Sequence, residues 1–91
     1  DTHRILYPAL GMAGEAGEVA NKVKKIIRDG TENLPEDWKD QLASEIGDVL
    51  WYCAALSNDI GIPLALIATQ NRDKLLARKQ KGTLQGSGDT R

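Results

Sequence analysis

The sequence has no phenylalanine, one cysteine and one histidine among its 91 residues. Each shortage removes a class of chemistry. Cys53 has no second cysteine to pair with, so no intrachain disulfide forms and a reducing, cytoplasmic setting is expected. His3, the single histidine, supplies neither a Cys/His zinc set nor the base of a Ser-His-Asp triad. Long apolar runs are also missing. The longest, Val49 to Leu56, falls far short of the roughly 20 residues a membrane-spanning helix needs. Nor is either charge in excess: thirteen acids against twelve bases leave a net charge of −1. That balance offers no general basic field for nucleic acid or an anionic membrane surface, and neither is expected as a partner. The chemistry must therefore rest on carboxylates, amides, hydroxyls, lysines and arginines.

Glycine and proline divide what is present into three helices and a tail, with no competing strand pattern. The first apolar-periodic stretch runs from about Tyr7 to Arg28 and stops at Asp29-Gly30. After a polar connection over Thr31 to Leu34, Pro35-Glu36-Asp37 starts a second helix that runs to about Asn58. Pro63 opens a third, through Leu64, Ile67, Ala68 and Leu75 to about Lys81-Gly82. The glycine-containing remainder, Thr83 to Arg91, reads as an irregular tail, and Arg91 within it and Lys81 just before it offer cations to a nearby site. The expectation is one all-α domain over residues 1–91. So short a chain buries little surface alone, and its helical bundle is expected to be completed by dimer or tetramer assembly.

One five-residue pattern occurs twice. Glu15-Ala16-Gly17-Glu18-Val19 and Glu45-Ile46-Gly47-Asp48-Val49 share the form Glu-x-Gly-acid-Val on different helices. Acids three apart are neighbours on a helix surface and repel each other, most strongly where water is excluded. A solvated polar face explains most such pairs, but helical phase favours more here. Glu15 lies at the margin of the stripe Met12, Ala16, Val19, Val23, Ile26, Ile27, with Glu18 flanking it. Glu45 lies at the margin of Trp38, Leu42, Ile46, Val49, Cys53, Leu56, with Asp48 one step beyond. Antiparallel packing brings the four carboxylates to one pocket. Without histidine, that is an oxygen-rich site for a hard cation, Mg²⁺ or Mn²⁺, rather than a di-iron centre.

On the third helix Asn71, Lys74 and Arg78 form a polar line. It is either a snorkelling basic edge or an amide with cations around a polyphosphate. Lys22 and Lys25 reach either the acids or phosphate, and Tyr52, one turn beyond Asp48, is either a core tyrosine or a stacking surface for a base. Trp38 and Trp51 read as core or interface residues. Gly11, Gly14, Gly17 and Gly47 allow close helix packing, room for a ligand, or both.

Over nearly its whole length the chain resembles the all-α nucleoside triphosphate pyrophosphohydrolases of the MazG type. Their Glu-x-x-Glu and Glu-x-x-Asp motifs are matched by Glu15 to Glu18 and Glu45 to Asp48, and their Asn-x-x-Lys element by Asn71 and Lys74. The strings Gly11 to Val19 and Gly47 to Tyr52 are similar as well. The family usually has a further helix before the first acidic motif, where this chain has fourteen residues. The resemblance implies Mg²⁺-dependent hydrolysis of a nucleoside triphosphate to monophosphate and pyrophosphate by a homodimer or homotetramer. Glu15, Glu18, Glu45 and Asp48 would then hold metal and activate a water, with Glu18, Glu45 and Asp48 the catalytic set and one glutamate, Glu18 the first candidate, instead accepting the water's proton. Lys22, Lys25, Tyr52, Asn71, Lys74 and Arg78 would bind substrate. The alternative is a non-catalytic helical assembly that senses nucleotide or metal.

Overall fold

The computed structural model of the chain describes residues 2–82, so the expected tail lies outside the described residues. Among these are three helices and no strand: α1 (Thr2–Asp29), α2 (Trp38–Ile60) and α3 (Leu64–Gln80). A short 3-10 turn, Thr31–Asn33, joins α1 to α2. No single described helix is long and apolar enough to cross a membrane.

The stops fall where glycine permits them. Gly30 takes φ +87° and returns its N–H to the Ile26 carbonyl at 3.0 Å, closing α1. Gly61 takes φ +77° in the left-handed region and closes α2, its N–H bonded to the Asn58 carbonyl at 3.1 Å. The starts differ from the sequence pattern. α1 begins at Thr2, with Pro8 inside the helix. The extra turn is held from outside: Pro8 is buried, and Arg4 pairs with Asp59 of α2 at 3.7 Å. α2 begins at Trp38, and Pro35 to Asp37 form the turn before it. The Asp37 carboxylate accepts from the Gln41 side chain at 2.8 Å rather than from the helix backbone.

α1 and α2 form an antiparallel hairpin. Arg4 meets Asp59, the Cys53 thiol donates to the Met12 sulfur at 3.4 Å, and Lys22 donates to Gln41 at 3.5 Å. The Tyr52 ring lies where a Cβ on Gly11 would be, so this glycine is present for close packing. The seam takes half-buried Met12, Val19 and Ile26 from α1, and Trp38, Leu42, Val49, Cys53 and Leu56 from α2. Four expected stripe members lie outside it: Ala16, Val23, Ile27 and Ile46 are exposed.

The α2–α3 corner bends by 101°, and the α3 backbone comes close to α2 alone. No aliphatic or aromatic side chain among the described residues is buried; only Pro8, Ser57 and Arg78 are. The described residues thus form a hairpin with an arm, without a buried apolar interior.

Candidate metal centre

The two acidic motifs meet across the hairpin seam. Glu15 occupies α1 between Met12 and Val19, and Glu45 occupies α2 between Leu42 and Val49. Both are half-buried because helical spacing puts them in line with the packed residues. Asp48 is exposed one turn further along α2. Each of Glu15, Glu45 and Asp48 offers a carboxylate oxygen, and the three oxygens lie within 4.8 Å of one another.

Such convergence is electrostatically unfavourable without a cation. The Glu15 carboxyl is pushed above its ordinary range, first by lost hydration and then by the charges of Asp48, Glu45 and Glu18. The cation one turn beyond Glu18, Lys22, is engaged with Gln41. The ion pairs Arg4–Asp59, Arg28–Asp29 and Arg72–Asp73 lie elsewhere. Hard oxygen donors, close together and mutually repelling, fit a divalent hard cation. Glu18 stands outside the close group of three, near enough to act on Glu15 through its charge.

The other expected site residues are distributed more widely. Lys22 and Lys25 border a cavity of about 210 Å³ at the loop end of the hairpin, together with Trp38 and Gln41. Trp38 and Gln41 had no binding role in the sequence reading. The available signal was their spacing, since Gln41 precedes Glu45 by one helical turn and Trp38 by two. Tyr52 packs on Gly11 and meets Trp51 edge-on, with ring centroids 5.1 Å apart. Asn71 and Lys74 line an open groove of about 500 Å³ on α3 with Leu64 and Ile67. Arg78 is buried, at 7% exposure. Within one chain, therefore, the acids converge while Asn71 and Lys74 stand on the arm.

Fold and site together define an all-helical protein whose paired Glu-x-x-acid motifs build a carboxylate site suited to a divalent cation. Residues 2–83 match the family model of the MazG nucleotide pyrophosphohydrolase domain, and the chain belongs to that family. It is also 47% identical over 87 residues to the Gene 37 protein of Mycobacterium phage L5, covering 96% of this chain and 76% of that protein. No solved structure matches the chain.

Proposed function

We propose that the chain is a Mg²⁺-dependent nucleoside triphosphate pyrophosphohydrolase, converting (d)NTP to (d)NMP and pyrophosphate in the cytoplasm as a homo-oligomer. Mn²⁺ is the expected substitute for Mg²⁺. The observation that carries the reading is the convergence of Glu15, Glu45 and Asp48, in a chain of this family.

When bound, a divalent cation supplies charge neutralisation of the phosphates and a lowered pKa for water. Glu15, Glu45 and Asp48 hold it, and Glu18 completes the set or accepts the proton of the attacking water. That water adds in line to the α-phosphorus, the bond from phosphorus to the bridging oxygen breaks, and pyrophosphate leaves with the electron pair. Lys22, Lys25, Asn71, Lys74 and Arg78 are the groups proposed to bind phosphate or sugar oxygens, with Tyr52 a base contact.

Self-association is supported by area. The chain exposes 7045 Å² of surface. A compact monomer of its 9.9 kDa mass would expose about 5,200 Å². Thirteen large apolar side chains among the described residues are exposed, including Leu10, Leu50 and Trp51. The excess is on the scale of a stable protein–protein interface.

Phosphorus NMR with Mg²⁺ across ribo- and deoxyribonucleoside triphosphates tests the chemistry. Monophosphate with pyrophosphate is the expected product pair, with the rate reduced at least about 100-fold in Glu45→Gln and Asp48→Asn. Orthophosphate release would move the cleavage site. A folded, assembled protein that turns over no triphosphate would sink the proposal.

A further inference from the structure

We infer that the cavity at the loop end of the hairpin is the site that receives the base of the substrate nucleotide, with Trp38 as its wall. The inference rests on the reading that the carboxylates hold the phosphates, and it adds where the nucleoside end goes.

The cavity is lined by Ile26, Leu34, Trp38 and Leu42 on the apolar side and by Lys22, Gln41 and other polar groups. At about 210 Å³ it is smaller than the ~300–1,000 Å³ that whole ligands of drug size occupy. It suits one ring system whose remaining part extends outside. The carboxylates lie in the same seam. Gln41 is one turn from Glu45, and Trp38 is seven residues away, a rise of roughly 10 Å along the helix. A ribose placed between the α-phosphate and its base spans a separation of that order. Lys22 stands between, bordering the cavity one turn beyond Glu18.

The polar groups are arranged for recognition. Asn33 donates its amide N–H to the Asp29 carbonyl at 2.6 Å, and Gln41 donates its own to Asp37 at 2.8 Å. Each side-chain amide is thereby oriented, with its carbonyl oxygen left as an acceptor. The Gln41 oxygen receives only the long 3.5 Å contact from Lys22. Two fixed acceptors beside an indole suit the donor edge of a nucleobase against an aromatic face.

The opposite end of the seam is the competing location. Tyr52 lies as far beyond Glu45 as Trp38 lies before it. Its cleft, about 330 Å³ and bordered by Tyr7 and Trp51, is less suited to a base. The Tyr52 ring is committed to Gly11, and the Arg4–Asp59 charges there satisfy each other. Tyr7 and Trp51 are 67% and 65% exposed, as befits a surface that another copy covers.

Two readouts test the assignment. Trp38→Ala should raise KM for the nucleoside triphosphate by roughly 5- to 150-fold, the range that base–aromatic stacking spans, with kcat changed less than about twofold. Trp38→Phe should recover most of the loss, which a general structural defect would not predict. The second readout is binding alone. In Trp51→Phe, Trp38 is the sole tryptophan, and its emission should be quenched by a triphosphate carrying a methylene at the α,β bridge. Inorganic triphosphate should leave it unchanged. An active enzyme whose KM is indifferent to Trp38→Ala, or whose Trp38 emission ignores the analogue or responds equally to inorganic triphosphate, overturns the assignment. If the wild-type protein hydrolyses nothing, the hydrolase reading fails by itself. Quenching by the nucleotide analogue would still support the cavity as its binding site, and no quenching would remove that too.

Discussion

Glu15 is held half-buried in a helix seam with three other carboxylates near it, and its proton affinity shows the consequence. In the unfolded chain it ionises near its ordinary value of 4.5. In the folded chain burial and like charge raise that value, so between the two the native state binds more protons than the unfolded state. The contribution of Glu15 to stability is therefore full below the ordinary value and declines as pH rises to the raised one. Glu15→Gln should remove this decline and raise the melting temperature of the metal-free protein at pH 7. The same change should abolish most of the stabilisation that Mg²⁺ gives the wild type, because a ligand that binds only the native state stabilises by mass action. Thermal melts with chelator and with Mg²⁺ across pH 4 to 8 would check both. A metal-free variant less stable than wild type at pH 7 would contradict the account. These acids were legible in the sequence because charge at the margin of an apolar stripe is costly, and the duplicated motif placed that cost on two helices at once. The closeness of Glu15, Glu45 and Asp48, with Glu18 further off, was not legible, because it depends on how the two helices are rotated against each other.

At the scale of the helix, Gly11 separates two roles that sequence alone leaves open. Alanine in place of a helix-interior glycine gains roughly 1 kcal/mol of propensity. At Gly11 the added methyl meets the Tyr52 ring, and overpacking of that kind costs about 1–3 kcal/mol. Gly11→Ala should therefore destabilise the wild-type protein. In a Tyr52→Ala background, with the ring gone, the same substitution should stabilise by roughly 1 kcal/mol. Urea denaturation of the four proteins gives the coupling directly, and equal effects in both backgrounds would show that the ring is not what Gly11 accommodates. Helix ends illustrate the same division between local and tertiary causes. The Gly30 and Gly61 stops follow from local conformation and were placed within two residues. The first turns of α1 depend on Arg4 reaching Asp59 and on Pro8 being covered, and a local pattern contains neither fact.

For the whole molecule, the dimensions bear on the proposed self-association. Its radius of gyration is 16.7 Å, whereas a compact domain of this length has about 12 Å. The difference comes from α3, which turns away from the hairpin by 101°. Counting helical rise along both arms puts Asn71 and Lys74 roughly 20 Å from Asp48 in the same chain, too far for both to hold one triphosphate. The apolar stripes were readable in the sequence, but the angle of the corner was not, since Gly61 permits many directions and the contacts that select one lie between elements. If Lys74 serves the reaction from another copy, complementation will reveal it. Asp48→Asn lacks a carboxylate and keeps its arm; Lys74→Ala keeps the carboxylates and lacks the arm. Each alone should be nearly inactive. Co-refolded in equal amounts as dimers, half the dimers are mixed, and each mixed dimer contains one intact site made of one chain's acids and the other's α3. About a quarter of wild-type activity should return, rising as the mixed fraction rises. If the arm served its own chain, every site in every mixture would carry one lesion and no activity would return. A monodisperse monomer that is fully active at nanomolar dilution would exclude the shared site outright.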